Sequence, residues 1–415
     1  MASTMTLSEE LAWRGFVNQT TYKDPAVLDG APIVFYWGVD PSADSMTVGH
    51  LAIAMMVRHF IDHGHQAYLL VGGATGLIGD PDGKANERDL KPMEEIARNK
   101  AAIVAQYQRL FADKPFEVVD NYDWFKDFGY LDFLRTIGKH VPMRQMLTRE
   151  FVQSRLSEDG AGISYAEFSY SLIQGYDFLH LFRVNKVSLQ VCGADQWGNS
   201  IAGVELIRRI DGGEANVWSA PLVINKVTGI KFGKSEEGAV WLDETKTSVY
   251  KFYQFWLNTD DDSVGDYLKI YTMLEPEAFG RLMAEFEQNR GARLAQKTLA
   301  YEVTKLVHGV DKANAVVKAT EVLFGGGDFR ALGELDLAML KTELPVVPAA
   351  SDEPVNALLV KSGLATSLSD ANRLIQGGGI GLDNDRVTDA QACLAQPGGH
   401  LLRRGKNNFA IVELS

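Results

Sequence analysis

The sequence predicts an α/β protein in which a parallel-sheet domain is followed by a mostly helical region and then by a small α+β module. Two short apolar runs, residues 32–39 and 66–73, have the length and composition of buried strands. Residues 50–63 between them place apolar side chains at helical spacing. A strand, a helix and a second strand in so short a stretch form a βαβ unit, which predicts a parallel, Rossmann-like sheet.

The later elements follow in order along the chain. Residues 116–121, 187–193 and 217–225 are three further strand candidates, and helical patterns dominate residues 248–343. A stretch rich in proline and small residues then has the composition of a linker. The predicted divisions are a sheet domain at 1–225 with an insertion at roughly 120–185, a helical domain at 226–344, a linker at 345–352 and a terminal module at 353–415.

The bulk composition limits the class of protein. With 415 residues, 46% hydrophobic and 23% charged, the chain is expected to be globular and too long for one core. Two cysteines, no signal peptide and no apolar run of the roughly 18 residues that a membrane span needs predict a cytoplasmic protein without membrane contact. The net charge of −13 disfavours nonspecific binding to polyanions, so a nucleic-acid partner would need a local surface.

The segment VDPSADSMTVGHLA, residues 39–52, follows the first predicted strand and opens the first helix. Gly49 would let a phosphate approach bare backbone N–H groups at the positive end of the helix dipole. His50 could donate a hydrogen bond to a phosphate or ribose oxygen. A lone histidine at a helix start is more often a capping or packing residue. This segment alone therefore leaves open whether His50 contacts a nucleotide or only caps the helix.

A glycine-rich loop, residues 72–81, follows the second predicted strand. It would expose backbone at the carboxyl edge of the sheet, where open α/β sheets bind ligands. Lys84 and Arg88 follow at a spacing of four, which puts both cations on one helix face. The alternative is a long tight turn that binds nothing.

A cationic loop, KFGKS at residues 231–235, comes after the last predicted strand. Lys231 and Lys234 lie on either side of a glycine and suit a mobile clamp on a polyphosphate, where they would meet charge moving onto pyrophosphate. A solvated loop is the commoner explanation of the isolated pattern.

Together these three segments resemble those of class I aminoacyl-tRNA synthetases. The motifs YAEFSY at 165–170, QGYD at 174–177 and GADQWGN at 193–199 are similar to those of the bacterial-type tyrosyl-tRNA synthetases. The resemblance runs over essentially the whole chain. It implies that the first domain is catalytic, that the helical domain recognises the anticodon, and that the terminal module has an S4-like RNA-binding fold.

The resemblance also assigns roles to individual residues. Tyr36 and Asp177 match the pair that hydrogen-bonds the phenolic hydroxyl of tyrosine, and a buried polar pair of this kind would reject phenylalanine. The implied tyrosine-binding set is Tyr36, Asp80, Tyr170, Gln174, Asp177, Gln190 and Gln196. The implied ATP-binding set is Asp40, Gly49, His50, Gly193, Asp195, Lys231, Phe232, Gly233, Lys234 and Ser235. The residues expected to act in catalysis are Ser42, Thr47, His50, Lys84, Arg88, Lys231 and Lys234.

The implied reaction is attack of the tyrosine carboxylate on the α-phosphate of ATP, followed by transfer of tyrosine to the terminal adenosine of tRNA(Tyr). The carboxylate is already a nucleophile, so alignment and cations should do the catalysis. Mg²⁺ is expected on the ATP phosphates with few protein ligands. The sequence shows no Cys/His cluster with zinc spacing and predicts no organic cofactor.

Three positions depart from the family pattern. Thr47 stands where the family usually has histidine, Ser42 replaces a threonine, and Trp37 replaces a residue that is often small. Thr47 could still donate one hydrogen bond to a phosphate. Trp37 would either narrow the nucleotide pocket or pack against a helix.

On the tRNA side, the candidate phosphate contacts of the terminal module are Arg373, Arg386, Arg403, Arg404 and Lys406. Acidic residues are about as frequent there, so recognition of shape and backbone is more plausible than attraction by bulk charge. The resemblance further implies a homodimer, with residues 138–143 as the candidate contact.

Two alternative functions stay open on the sequence. A tryptophan-specific synthetase would share the fold, but Tyr36, Asp177 and the S4-like module favour tyrosine. A non-catalytic RNA-binding protein descended from a synthetase is suggested by Thr47. The retention of the tyrosine pocket and of both clamp lysines argues against it.

Overall fold

A computed structural model of the chain describes residues 5–81, 89–157, 159–224, 229, 234–235 and 238–414. They belong to two compact units, Met1–Thr247 with Thr259–Leu299 and Ser248–Asn258 with Ala300–Ser415. The helices are α1 (Leu7–Arg14), α2 (Val48–Asp62), α3 (Thr75–Ile78), α4 (Met93–Leu110), α5 (Tyr122–Phe125), α6 (Tyr130–Thr136), α7 (Met143–Leu147), α8 (Glu150–Leu156), α9 (Tyr165–Asn185), α10 (Trp197–Asp211), α11 (Val249–Leu257), α12 (Val264–Tyr271), α13 (Pro276–Gln288), α14 (Leu294–His308), α15 (Val310–Phe324), α16 (Glu334–Glu343), α17 (Val355–Lys361) and α18 (Leu368–Gln376). Within these ranges, no helix is long and apolar enough to cross a membrane.

The first unit is built on a six-stranded sheet, which confirms the predicted α/β class. Its strands are β1 (Gln19–Thr20), β2 (Val34–Val39), β3 (Gln66–Val71), β4 (Phe116–Asp120), β5 (Leu189–Gly193) and β6 (Asn216–Ala220), in the spatial order β1-β6-β5-β2-β3-β4. Only β1 runs antiparallel to its neighbour. The strand order reverses beside β2, so the carboxyl ends of β2, β3 and β5 surround the position where such sheets bind ligands. A short hairpin of β7 (Lys234–Ser235) and β8 (Gly238–Ala239) follows.

Neighbouring residues of β2 face opposite sides of the sheet, as the period of a strand requires. Tyr36 packs on Phe178 of α9 with ring centroids 5.2 Å apart. Trp37 packs on Tyr107 of α4 at 5.5 Å and is 4% exposed. Of the two expectations for Trp37, packing against a helix is therefore confirmed.

A buried polar cluster joins α1 to α2 and to the end of α12. Glu10 accepts from Arg14 Nε at 2.9 Å and lies 3.2 Å from His59 Nδ1 and 2.7 Å from His63 Nε2. Arg14 also donates to the carbonyl of Lys269 in the last turn of α12 and to those of Thr272 and Leu274, which follow this helix. Since each charge has several partners, the cluster fixes these helices without leaving a buried charge unpaired.

This cluster gives the stability a pH dependence. Burial lowers the pKa of His59, and the hydrogen bond with Glu10 only partly offsets it. Because the unfolded chain binds this proton at higher pH than the folded chain, the free energy of unfolding should fall as the pH drops below 6.5, by up to about 1.4 kcal/mol per unit of pKa difference. Unfolding of wild type and His59→Gln between pH 7 and pH 5 tests this, because glutamine keeps a donor but does not titrate. An equal pH dependence in both would contradict it.

The second unit contains a five-stranded sheet. Its strands are β9 (Val346–Ala349), β10 (Ile380–Leu382), β11 (Asp385–Arg386), β12 (Gly398–Arg404) and β13 (Asn408–Leu414), in the order β11-β10-β12-β13-β9. The prediction of a linker at 345–352 is wrong for the residues of β9, which pair in parallel with β13. Proline in this stretch suggested a linker, but an edge strand tolerates proline, and Pro348 lies in β9 opposite Glu413. The other predicted domain limits stay a prediction.

Strands β12 and β13 are apolar on both faces. Leu402, Ala410 and Val412 belong to a buried cluster with α17 and α18. Residues of the opposite face pack against α15 and α16 instead, in a cluster of Ala319, Val322, Leu323, Phe329, Leu340, Leu401, Phe409 and Ile411. The sheet of the terminal module therefore shares a core with the helices that precede it.

Candidate active site

Several of the predicted site residues that the structure describes lie at the carboxyl ends of β2, β3 and β5. Asp40 directly follows β2, the glycine loop follows β3, and Gly193 ends β5. At Gly72 a Cβ atom would lie 2.2 Å from Asp40 Oδ1 and from Thr75 Oγ1. At Gly193 it would lie 2.6 Å from Asp195 Oδ1. These two glycines thus let carboxylates lie against the backbone of the strand ends.

Asp177 and Tyr36 form a buried polar end of the site. Asp177, 1% exposed, accepts from Asn121 Nδ2 at 3.0 Å and from Trp124 Nε1 at 2.9 Å. Burial raises the pKa of Asp177 well above its ordinary value, although these two hydrogen bonds act in the opposite sense. Burial and the nearby Asp177 likewise raise the pKa of Tyr36. The Tyr36 hydroxyl is buried and has no hydrogen-bond partner among the residues that the structure describes.

A hydrogen-bonded chain connects this end to Asp40. Asn121 Nδ2 also donates to Thr75 Oγ1 at 3.0 Å, and Thr75 donates to Asp40 Oδ1 at 2.6 Å. The hydroxyl of Tyr170 donates to Asp40 Oδ2 at 2.6 Å. Burial, then Asp40, raises the pKa of Tyr170 well above its ordinary value. Asn121 is fully buried, and its amide holds Asp177 directly and Asp40 through Thr75.

Asp80 lies at the end of the glycine loop and pairs with Gln196. Gln196 Nε2 donates to Asp80 Oδ2 at 2.7 Å.

The side-chain oxygens of Gln174 and Gln190 are buried and, within the described ranges, accept no hydrogen bond. An unpaired buried oxygen costs roughly 1–3 kcal/mol, so these two acceptors indicate a site made for a ligand with donor groups.

Thr47 and His50 pair at the start of α2. His50 Nδ1 accepts from the backbone N–H of Thr47 at 3.1 Å and lies 3.0 Å from Thr47 Oγ1. Burial lowers the pKa of His50, against the raising effect of Asp195. The imidazole is therefore neutral at pH 7, and because Nδ1 accepts, Nε2 carries the proton and is a donor. The hydroxyl of Thr47 thus supports His50 in this tautomer.

The same helix start is tied to the chain that follows β8. The backbone N–H of Val48 donates to Val240 at 3.1 Å, and that of Leu242 donates to Met46 at 2.9 Å. Thr47 and Trp241 lie opposite each other in this short antiparallel bridge. Residues 240–242, which follow β8, are thereby held beside the start of α2.

In the activation of tyrosine that the resemblance implies, replacing Thr47 by valine should slow the rate by only a few-fold, since one hydroxyl is lost while the backbone donor to His50 stays. Thr47→His should also have a modest effect. The rate of ATP–pyrophosphate exchange at saturating tyrosine checks both variants. A loss as large as that of His50→Ala would show that the hydroxyl contacts the substrate directly.

Several predicted residues lie outside what the structure describes. They are Lys84, Arg88, Lys231, Phe232 and Gly233, and of Lys234 and Ser235 only the backbone is described. Ser42 and Asp195 are exposed. Among the described residues, no group of three or more His, Cys, Asp or Glu side chains could hold a metal ion.

The candidate RNA contacts all lie in the second unit. Arg373, Arg386, Arg403 and Lys406 are exposed, and Arg373 pairs with Asp370 at 2.7 Å. Arg404 donates to the carbonyl of Leu364 at 2.8 Å. Arg404 therefore also has a structural role within the module.

The structure also reveals supporting polar residues to which the sequence assigned no role. Thr75, Asn121 and Trp124 support Asp40 and Asp177, and Asn199 supports Gln196 at 3.2 Å. The sequence signal for them was weak, because an isolated polar residue is recognised as buried only once the fold is known.

A mostly parallel sheet with a polar site at its topological switch point is typical of ligand-binding α/β proteins. A model of the family described as tRNA synthetases class I (W and Y) matches residues 28–325. The tyrosine–tRNA ligase of Bacteroides fragilis is 40% identical over 98% of this chain and 99% of its own length. That of Geobacillus stearothermophilus is 42% identical over 99% and 100%. The solved C-terminally truncated mitochondrial tyrosyl-tRNA synthetase of Aspergillus nidulans is 30% identical with a TM-score of 0.70, covering 77% of this chain and 94% of that one.

The chain belongs to the class I tRNA synthetases of the tryptophan and tyrosine family. It is an aminoacyl-tRNA synthetase, a ligase of protein biosynthesis.

Proposed function

We infer that the chain is a tyrosine–tRNA ligase, which activates L-tyrosine with ATP and transfers it to the 3′-terminal adenosine of tRNA(Tyr). The observation that carries the choice of tyrosine is the buried pair of Asp177 and the unpartnered Tyr36 hydroxyl. Such a pair suits a ligand whose far end carries a hydroxyl, because an apolar ring would leave the Tyr36 hydroxyl unpaired and would place no donor against the buried Asp177 carboxylate. The relatives named tyrosine–tRNA ligase support the same choice.

The proposed site divides by the group of the substrate that each residue meets. The phenol would meet Tyr36 and Asp177, and the ammonium would meet Asp80, Tyr170 and Gln174. Gln190 and Gln196 would lie near the carboxylate. The nucleotide would meet Asp40, Gly49, His50, Gly193 and Asp195. The phosphates would meet Ser42, Lys84, Arg88, Lys231, Phe232, Gly233, Lys234 and Ser235.

In the proposed first step, a tyrosine carboxylate oxygen forms a bond to the α-phosphorus and the bond to pyrophosphate breaks. No proton is transferred, so no general base is needed. The neutral imidazole of His50 can donate from Nε2 to a phosphate or ribose oxygen. Mg²⁺ would enter bound to ATP, as part of the substrate.

We also propose a cytoplasmic homodimer that binds tRNA(Tyr). The insertion exposes large apolar side chains, which favours an interface there. They are Tyr130, Leu131, Met143, Leu147, Leu156 and Tyr165. The exposed arginines of the terminal module, Arg373, Arg386 and Arg403, and Lys406 are the candidate tRNA contacts, together with Arg404.

ATP–pyrophosphate exchange with tyrosine, tryptophan and phenylalanine in parallel tests the function. We expect exchange with tyrosine and little with the other two. Exchange that depends on tryptophan would move the specificity to that amino acid. The absence of exchange with any of them would favour the non-catalytic RNA-binding alternative.

A further inference from the structure

We propose that Arg149 is a positioning residue for the tyrosine site, acting through Asn199 and Gln196 on Asp80. Arg149 precedes α8 in the inserted segment and lies in none of the motifs that the family resemblance uses. The inference rests on the proposed function, because it takes the ammonium of tyrosine as the ligand of Asp80.

The four side chains form one continuous hydrogen-bonded chain. Arg149 Nη1 donates to Asn199 Oδ1 at 2.9 Å, and Nη2 donates to the carbonyl of Gly198 at 2.6 Å. Asn199 Nδ2 donates to Gln196 Oε1 at 3.2 Å, and Gln196 Nε2 donates to Asp80 Oδ2. Asn199 is 4% exposed, so the middle of the chain is shielded from water.

The direction of every hydrogen bond in this chain is determined by its two ends. A guanidinium can only donate and an ionised carboxylate can only accept. Arg149 therefore requires the oxygen of Asn199, which turns the Asn199 amino group toward Gln196. Gln196 must then turn its oxygen to Asn199 and its amino group to Asp80. Both amides are in the one orientation that satisfies the whole chain.

Without Arg149, the Asn199 amide loses the group that fixes its orientation. A rotated Asn199 would present its oxygen to the oxygen of Gln196, and a rotated Gln196 would present an oxygen to the carboxylate of Asp80. Either arrangement leaves buried acceptors facing each other, which costs free energy. Asp80 would then be displaced from the position in which it meets the ammonium group.

Two variants test the donor-to-acceptor direction of these hydrogen bonds rather than the mere presence of a contact. Arg149→Met removes the donor at the end. Asn199→Asp keeps an acceptor for Arg149, and even adds a charge, but offers Gln196 an oxygen where it needs a donor. We expect both to raise the KM for tyrosine about tenfold or more while the KM for ATP stays within about twofold. Arg209→Met is the matched control. Arg209 contacts Glu205 and the carbonyl of His140, and it takes no part in the hydrogen bonds that link Arg149 to Asp80.

Competitive inhibition of the exchange reaction identifies the affected group. Tyramine carries the ammonium group and should inhibit both variants less well than wild type. 3-(4-Hydroxyphenyl)propionate lacks that group and should inhibit all the enzymes equally. An equal loss for both inhibitors would overturn the assignment to Asp80.

If the direction of the hydrogen bonds from Asn199 to Asp80 did not matter for tyrosine binding, Asn199→Asp would behave like wild type. That result would also overturn the proposal, and it does not depend on whether Arg149→Met folds. Failure of the proposed function would look different, because the wild-type protein itself would show no exchange with tyrosine.

Discussion

Replacing Asp177 by alanine is expected to lower the kcat/KM for tyrosine in ATP–pyrophosphate exchange by about 100-fold or more. The reason is that the substitution leaves three donors without an acceptor: the Asn121 amide, the Trp124 indole and the proposed phenolic hydroxyl of the substrate. Each buried group left unpaired costs roughly 1–3 kcal/mol. Phenylalanine brings no hydroxyl, so its poor activation should change less and the preference for tyrosine should shrink.

Asp211→Ala is the matched control for this experiment. Asp211 pairs with Arg183 at the surface, at the end of α10. The Asp211→Ala substitution should leave the kcat/KM for tyrosine unchanged. If Asp177→Ala left the ratio of the kcat/KM values for tyrosine and phenylalanine unchanged, Asp177 would not be the group that recognises the phenolic hydroxyl.

Replacing Asp80 by asparagine should lower kcat/KM for tyrosine by a similar factor, about 100-fold, because the counter-charge of the ammonium group disappears while the size of the side chain is kept. The asparagine can still pair with Gln196, so the fold of the loop should survive. Inhibition by tyramine should weaken strongly.

3-(4-Hydroxyphenyl)propionate is the internal control for Asp80→Asn, because it carries no ammonium group. Its inhibition constant should stay the same or improve when the carboxylate is removed. Weaker binding of this compound would mean that the substitution has damaged the pocket as a whole.

The sheet was predictable because its signal is local. The apolar runs that contain β2 and β3, with a periodic helix between them, required no knowledge of distant contacts. The face of Trp37 could have been predicted from the alternation of side chains along β2. Its partner Tyr107 could not, because it lies on α4, far along the chain.

The candidate site was predictable only in part. Residues such as Asp177, Gln196 and His50 lie in motifs that carry a family resemblance. Asn121, which supports Asp177, and Arg149, which supports Gln196 through Asn199, lie in no such motif. Their roles depend on hydrogen bonds between residues 56 and 50 positions apart in the chain. Single polar residues at such separations become meaningful only when the fold brings them together.

The β9 strand shows why composition misled the prediction of a linker. Its two ends are bordered by proline and small residues, which are frequent in linkers. The partner strand, β13, is a run of apolar residues that alternate between two clusters. A strand that is apolar on both faces needs a neighbouring element on each face, and this was the available sign that the module is not an isolated appendage.

The core shared by β12, β13, α15 and α16 limits how this protein can evolve. Loss of the terminal module would expose Leu323 and Phe329 to water, together with the rest of their cluster. A shortened descendant would need several polar substitutions on those helices before the loss became tolerable. Exchange of the module for one from another gene would require a matching apolar face at Leu401, Phe409 and Ile411. Helices and module are therefore expected to be inherited as one piece.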